Sequence, residues 1–558
     1  MLKTLARLFR QGAAVASRRE AVAESLNIEP PGVLLAPCIA ALDAGREHEA
    51  ADLIETLLES HPDLAEAHLL LGTIRHRQRN FEDARDSYLL AACFKPQWWR
   101  AQFQLGLLEL DEQNFADAAQ ALRKALALEA NDARVHNALG SAHLHMRDVS
   151  AAVDAFRKAV ALEPGFAHAH SNLGYVLFKE LEQYEEGARH IERALELAPS
   201  DTGALCNRIM LLHHRGRTDE ALALADQLLA RDDGFAEARL NRALMLLAKG
   251  EFERGWTDYE ARKRASAGTC SSDFPAPEWD GSPLTGRSIF VYPEQGLGDE
   301  IMFASCLPDL LATGAACSIE CDPKLESLFR RSFPRAEILA KDAWRASDAL
   351  AARPPEVKVA IGSLPRFFRR TRAQFPSHGG YLRVDRAKVA RWKTRLDALP
   401  CRRKVGISWR GGLASTKRSL RSIALDDWTP VLTVPGVDFV SLQYSDSERE
   451  IEALRATGID LHAWPDAIED YDETAALVAS LDLVISIQTA IVHLAGAVGT
   501  PAWALISAAP EWRYGAAGAS MVWYPSVRLL RQSVLARWDG VIAAVASELR
   551  AWAEPPRT

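Results

Sequence analysis

Glu294-Gln295-Gly296-Leu297-Gly298-Asp299 sets two glycines and three polar side chains directly behind the apolar run Ser288-Ile289-Phe290-Val291-Tyr292. Glycine takes positive φ without penalty, so a turn built on Gly296 and Gly298 lets backbone approach a ligand closely. A helix starting near Asp299 favours an anion at its N-terminus, or is simply capped by Asp299. Taken alone, the capping role is the default reading. A second loop, Ser415-Thr416-Lys417-Arg418-Ser419-Leu420-Arg421-Ser422, concentrates cations and hydroxyls. That composition suits phosphate recognition, and equally suits a solvated basic loop. A third, Ser486-Ile487-Gln488-Thr489-Ala490-Ile491-Val492-His493, ends a strand and opens a helix of small residues. Helix N-terminal amides, Thr489 and His493 can there hold a phosphate; the alternative for His493 is a hydrogen-bonded, half-buried ring.

These loops need strands to carry them. Apolar runs at residues 288–292, 316–321, 357–362, 404–409, 437–442, 481–487 and 502–506 read as buried strands, with helices between them, among them 299–313 and 326–333. Alternation of that kind builds parallel sheets covered by helices. The pattern restarts at Lys404, so two doubly wound halves meeting at a cleft are expected, with a boundary between residues 385 and 403. Ligands in such sheets sit at the carboxyl ends of the strands, where all three loops lie. Residues 265–286, rich in Ser, Pro, Asp and Gly, read as a linker.

The first half of the chain has a different grammar. Gly72, Gly106, Gly140 and Gly174 stand 34 residues apart. Ala84, Ala118 and Ala152 keep the same interval, as do Ala91, Ala125 and Ala159, while Pro62, Pro96 and Pro164 recur in register with them. Small residues mark where two helices cross, and the proline ends the second helix. Leu71-Gly72, Ala84, Tyr88, Ala91 and Pro96 resemble the tetratricopeptide repeat, as do Leu139-Gly140, Ala152, Phe156, Ala159 and Pro164. The unit at Gly174 gains one residue, and degenerate units begin near Pro31 and Thr202. About six repeats follow, enough to share a continuous core. A last helix, near residues 253–264, is expected to cap this α solenoid with Trp256 and Tyr259 as packing residues. The domains are therefore placed at residues 1–30 (a basic leader helix), 31–265 (the solenoid with its cap), 266–400 and 401–558.

The 558-residue chain carries a net charge of −8, which argues against a dedicated nucleic-acid binder. Its eight cysteines are scattered without zinc spacing, and Cys317 and Cys321 share one face of a strand as buried thiols. No apolar run is long enough to span a membrane, which takes about 18 residues. The leader Met1–Glu20, with Lys3, Arg7, Arg10, Arg18 and Arg19, lacks the core and cleavage site of a signal peptide. It frays ahead of the repeats or lies on an anionic membrane surface. A cytoplasmic protein is expected.

In this order the three loops, from residue 287 to about 545, resemble the heptosyltransferase-like branch of GT-B glycosyltransferases. The likeness is nearest to bacterial proteins that place tetratricopeptide repeats before such a transferase. It rests on the Glu-Gln-Gly-Leu-Gly-Asp loop, Trp409-Arg410-Gly411-Gly412, the Lys/Arg-Ser loop, and His493-Leu494-Ala495-Gly496-Ala497. The tail Trp523-Tyr524-Pro525-Ser526 through Leu530-Arg531-Gln532, then Trp538-Asp539-Gly540-Val541, is similar too. The resemblance implies two Rossmann-like lobes, the first for an acceptor and the second for a nucleotide-sugar donor. By it Asp299, on the Gln295-Gly296-Gly298 loop, matches the general base, and Trp409, Lys417, Arg421, Ser422, Gln488, Thr489 and His493 face the donor. The family usually has an aspartate where Gln488 stands. Glutamine keeps hydrogen bonding without the charge, so the departure means either a different donor, such as an acidic sugar, or lost catalysis.

The resulting expectation is an inverting, metal-independent glycosyltransferase without a cofactor. Asp299 deprotonates an acceptor hydroxyl, and Lys417, Arg421, Thr489 and a helix N-terminus stabilise the leaving phosphate. A concave repeat surface suits a polypeptide acceptor. Similar bacterial architectures glycosylate surface-appendage proteins, flagellin among them, in the cytoplasm. Two other readings stand beside it. One is a repeat scaffold whose transferase half has lost activity. The other is a glycolipid or lipopolysaccharide glycosyltransferase, with peripheral membrane contact through residues 1–20.

Overall fold

The structure, a computed structural model, describes residues 34–265, 270–411, 418–444, 447–535 and 537–554. The leader helix expected over residues 1–30 lies outside them. The chain divides after Ala238 into two compact units.

The first unit is built of antiparallel helical pairs: Ala36–Asp43 with Glu47–Ser60, Ala65–Arg77 with Phe81–Phe94, Trp99–Asp111 with Phe115–Leu128, Ala133–His145 with Val149–Leu162, Ala167–Lys179 with Tyr184–Leu197, and Thr202–His214 with Thr218–Arg231. The periodic alanines Ala84, Ala118, Ala152, Ala91, Ala125 and Ala159 are completely buried. Each periodic glycine meets the second helix of its own pair. A Cβ at Gly72, Gly106 or Gly140 would lie 2.6–2.7 Å from Tyr88, Leu122 or Phe156, and one at Gly174 would lie 2.8 Å from Ile191. The partner sits 16 positions on in the first three pairs and 17 in the fourth, which locates the extra residue between Gly174 and Ile191. The turn inside each pair holds one left-handed residue: Gly45 (φ 75°), Arg79 (65°), Gln113 (69°), Arg147 (65°), Glu182 (57°) and Gly216 (76°). That conformation closes the C-terminus of the first helix, whichever residue occupies it.

The second unit holds two sheets. The first has the order β3-β2-β1-β4, from β1 (Ser288–Tyr292), β2 (Ala316–Cys321), β3 (Glu337–Ala340) and β4 (Val357–Ala360), and every pairing is parallel. The second has the order β6-β5-β7-β8-β10-β9, from β5 (Arg403–Ser408), β6 (Val437–Ser441), β7 (Leu483–Ile487), β8 (Ala502–Ile506), β9 (Ser520–Met521) and β10 (Tyr524–Arg531). It is parallel except for the β9 edge. All of β6 and β7 is buried, as parallel strands covered on both faces require. Cys317 and Cys321 are buried in β2, and burial pushes the Cys317 thiol up to about 11.

Several expectations need correction. The segment read as a linker is bonded along β4: the Trp279 N–H donates to the Lys358 carbonyl at 2.7 Å, and Phe274 and Trp279 are buried. The helix expected over 299–313 is two helices, Leu297–Ala304 and Leu307–Ala312, because Pro308 opens the second. The helix Phe252–Tyr259 buries Trp256 and Tyr259 as packing residues, as expected, and also reaches beyond the repeats, its Trp256 indole donating to the Arg369 carbonyl at 2.8 Å. The helix Arg386–Asp397, placed with the first lobe, lies against Tyr471–Val478, with the Trp392 indole donating to Glu473 at 2.9 Å. The last helix, Asp539–Ala553, buries Val541, Ile542, Val545 and Leu549 in the core of the second sheet. Among the described residues no helix is long and apolar enough to cross a membrane.

Candidate functional site

The turn after β1 is held from below. Glu294 is buried, and Arg262 grips it through Nε (2.8 Å) and Nη2 (2.6 Å) while Nη2 also donates to Ser363 Oγ at 2.9 Å. Gln295 adopts φ 64°, an uncommon left-handed conformation for a non-glycine residue, and its Nε2 donates to Tyr259 Oη at 2.7 Å. Gln295 and Gly296 are exposed above this support. Gly296 is the N-cap of the helix Leu297–Ala304, so Asp299 stands in its first turn and is not the capping residue.

The Asp299 carboxylate is half-buried, with Oδ1 2.8 Å from Nη2 of Arg513. Arg513 Nη1 lies 2.8 Å from Glu511 Oε2, and Glu511 Oε1 accepts from Arg421 Nη1 at 2.7 Å. Four side chains thus alternate in charge, from the first sheet's turn to the cationic loop of the second. Burial raises the Asp299 pKa above the ordinary carboxylate value; Arg513 opposes this, and Glu511 adds to it. Burial acts against the Arg513 charge, but Asp299 and Glu511 outweigh it and keep the guanidinium protonated.

Close to this chain is the N-terminus of the helix Ala490–Val498, capped by Thr489, whose Oγ1 accepts the Ile491 N–H at 3.3 Å. Gly298 touches it: a Cβ there would lie 3.2 Å from His493 Cδ2 and 3.3 Å from Ala490 Cα. Gly411, in the loop after β5, has the same role against Thr489, whose Cγ2 would be 2.7 Å from a Cβ. The turn carrying Asp299 and the loop carrying Gly411 therefore converge on one helix end. Gln488 is 2 % exposed; its Oε1 accepts the Ser507 N–H at 3.1 Å, and its buried Nε2 has no partner. Gln532 repeats this, accepting the Ala508 N–H at 3.2 Å and leaving a buried Nε2 unpaired. A cleft of about 700 Å³ opens at the carboxyl end of β6, lined by Gln443, Tyr444, Glu448, Arg455 and Trp464 among others. Gln443 joins it to the neighbouring loop, its Oε1 accepting the Trp409 and Arg410 N–H groups at 3.2 and 3.0 Å.

Of the residues expected at the donor, Gln488 and Thr489 stand at this helix end, and Arg421 joins the ion-pair chain through Glu511. Ser422 pairs with Arg410 across the loop mouth in an antiparallel bridge. Lys417 lies outside the described residues. Trp409 is not a surface contact: its ring is fully buried in the core of the second sheet and its Nε1 donates to Glu450 at 3.0 Å. His493 is buried with both ring nitrogens facing tyrosines, Nδ1 at 3.2 Å from Tyr524 Oη and Nε2 at 3.4 Å from Tyr514 Oη. Burial, reinforced by Arg513, holds its pKa well below the usual value, so the ring is neutral and supports the site from behind. Glu511 and Arg513 are absent from the sequence-derived set; the only sign of them is two charges in an otherwise small and aromatic stretch after β8. Among the described residues no group of three His, Cys, Asp or Glu side chains is placed to hold a metal ion.

In the first unit, Asn137, Asn172 and Asn207 recur at 35-residue steps on the first helices of three successive pairs. Asn172 Nδ2 donates to Asn137 Oδ1 at 3.0 Å, and Asn207 Nδ2 donates to the carbonyl and hydroxyl of Ser171 at 3.2 and 3.0 Å. A row of carboxamides thus runs from repeat to repeat.

The family model of the tetratricopeptide repeat matches residues 39–100, 103–165, 143–202, 177–234 and 211–267. The chain is 34% identical over 386 residues to protein FlbA of Caulobacter vibrioides, an alignment that takes in 65% of this chain and 63% of that protein. The chain thus spans somewhat less than two thirds of this curated relative. Among solved structures, a tetratricopeptide repeat protein from Parabacteroides merdae is 18% identical with a TM-score of 0.37, covering 42% of this chain and 93% of that one. PilF of Pseudomonas aeruginosa is 21% identical with a TM-score of 0.34, covering 37% and 93%. The helical pairs between residues 39 and 267 are tetratricopeptide repeats.

Proposed function

We propose that the second unit is a GT-B glycosyltransferase of the inverting, metal-independent kind, and that the repeats hold its polypeptide acceptor. One observation carries the reading: across the junction of the two sheets the half-buried carboxylate of Asp299 meets Arg513, which is linked through Glu511 to Arg421, while the neighbouring Gly298 packs on the first residue of the helix that Thr489 caps. A carboxylate whose pKa is raised is a stronger base for an acceptor hydroxyl. Once that proton is taken, the oxygen attacks the anomeric carbon from the face opposite the leaving phosphate. The charge released on the phosphate is met by Thr489 and the helix amides, which supply preorganised positive potential, and by Arg421 once it turns from Glu511. The cleft beside Gln443 has room for the nucleoside. Tetratricopeptide repeats bind protein partners, which favours a polypeptide acceptor held by the first unit. The acceptor class by architecture is a surface-appendage protein such as flagellin.

The test is thermal stabilisation of the full chain by UDP, GDP, ADP and CMP at millimolar concentration. A ligand at 100 times its dissociation constant stabilises by about 2.7 kcal/mol. One selective response identifies the donor class, whose sugar nucleotide is then supplied with the acceptor. Transfer is lost in Asp299→Ala while nucleotide binding persists. No response to any nucleotide from a folded sample favours the scaffold reading, and full transfer by Asp299→Ala removes that residue from the mechanism.

A further inference from the structure

The ion-pair chain has an unusual property for a site that awaits an anion: its cations are already paired. Among the described residues Arg513 is shared by Asp299 and Glu511, and Glu511 is shared by Arg513 and Arg421, so each of these guanidinium groups already faces a carboxylate. The Arg421 side chain is 10 % exposed and that of Arg513 is 16 % exposed. Cations this poorly hydrated need counter-charges, and the two carboxylates supply them. Asp299 is attached to the first sheet's turn, whereas Arg513, Glu511 and Arg421 all belong to the second sheet's loops. The pair between Asp299 and Arg513 therefore joins the acceptor side to the donor side. Arg513 also lies close enough to His493, on the helix whose N-terminus Thr489 caps, to depress its protonation.

Resting on the nucleotide-sugar reading, we propose that Arg513 is a two-position cation. In this structure it is held by Asp299 and Glu511; with a nucleotide bound it turns to the nucleotide phosphate and releases Asp299 toward the acceptor. A planar guanidinium suits both partners, since carboxylate and phosphate each offer two oxygens at its fork. The exchange couples the two substrates. A phosphate that enters brings the negative charge that Asp299 had supplied, and Asp299 is left without its strongest cationic partner when the acceptor arrives. Asp299 and the phosphate therefore compete for one guanidinium, which makes a prediction opposite to that for a merely structural ion pair.

The experiment is calorimetric titration of the full chain with UDP, GDP, ADP, CMP and inorganic phosphate, in wild type, Asp299→Asn, Arg513→Lys and Arg513→Gln. Asp299→Asn is expected to bind the responding nucleotide about tenfold more tightly than wild type. Arg513→Gln is expected to bind it at least about tenfold more weakly, with Arg513→Lys in between. Should Arg513→Gln fail to fold, the Asp299→Asn comparison still decides. Unchanged or weaker binding in folded Asp299→Asn, with wild type responding, overturns the two-position role and leaves the transferase reading standing. No nucleotide binding in either protein overturns both. Inorganic phosphate binding as tightly as any nucleotide also overturns the proposal, because the site would then serve a free ion.

Discussion

Arg262 and Glu294 form a two-point ion pair, with N···O distances of 2.8 and 2.6 Å and both side chains shut off from water. The pair links the segment after the last repeat helix to the turn that carries Asp299. Gly362 makes room for it, since a Cβ there would fall 2.1 Å from Glu294 Oε1. Removing Glu294 leaves Arg262 buried with Glu260, 2.9 Å from Nη1, as its remaining counter-charge. Glu294→Ala should therefore cost about 2–3 kcal/mol, less than the about 3–5 kcal/mol of a fully stranded buried charge. Replacing both together, as Arg262→Met with Glu294→Leu, should cost clearly less than Glu294→Ala. Chemical denaturation of the three proteins measures this, and a double variant as unstable as the single one would show that the pair acts through shape and not charge.

The periodic glycines differ in what faces them. At Gly106 an added Cβ meets the buried Leu122 side chain, 2.6 Å from Cγ and 2.8 Å from Cδ2, which must repack. At Gly174 it meets backbone, 2.9 Å from both the Gly187 carbonyl oxygen and the Ile191 nitrogen. Alanine gains about 1 kcal/mol over glycine in a helix interior. Gly106→Ala should then lie within about 1 kcal/mol of wild type, whereas Gly174→Ala should lose about 2–3 kcal/mol through forced separation of the helices. Melting temperatures rank the two, and equal losses would refute the distinction between side-chain and backbone contact.

The repeats were legible because their contacts are local: Gly72 and Tyr88 stand 16 residues apart, and period 34 returns every such pair to register. Seven strands were legible as apolar runs. β3 was not, because Glu337–Ala340 is short and opens on a charge; β10 was not, because Pro525, Arg528 and Arg531 interrupt its apolar pattern. At the candidate site, Asp299, Gln488 and Thr489 announce themselves by standing where a strand passes through a turn into a helix. Glu511 and Arg513 have no such grammar. They join the site only because the second sheet's topology brings the loop after β8 to Asp299, and nothing local encodes that meeting. The left-handed turns show the same limit: glycine betrays them at residues 45 and 216, while Arg79, Gln113, Arg147 and Glu182 hide them.

Glu300, one residue beyond Asp299, provides a pH handle. Burial pushes its carboxyl up to about 7, although it accepts the Asp322 N–H at 2.9 Å. The folded chain therefore binds more protons than the unfolded chain between the ordinary glutamate value, about 4.5, and about 7. Its contribution is fully present below that window and is lost as pH rises through it. Glu300→Gln keeps an acceptor for Asp322 and cannot titrate. It should match wild type more closely at pH 5 than at pH 8, where it should be more stable by up to about 3 kcal/mol. Parallel unfolding curves at the two pH values check the sign; an advantage independent of pH would locate this proton elsewhere.

Gln488 and Gln532 each spend a carbonyl oxygen on the loop after β8 and leave an NH2 group buried without an acceptor. An unpaired buried donor costs about 1–3 kcal/mol, and so does an unpaired loop N–H. Gln488→Met removes the first and creates the second, so stability should change by no more than about 1 kcal/mol. Binding should respond differently. If the NH2 group awaits an oxygen of the donor sugar, Gln488→Met weakens the intact sugar nucleotide about tenfold and leaves the free nucleotide unaffected. Titrating both ligands into the same variant separates the readings of this position. Selective loss of the sugar nucleotide means that glutamine reads a donor; equal affinity for both ligands before and after substitution means that the residue only fastens the loop.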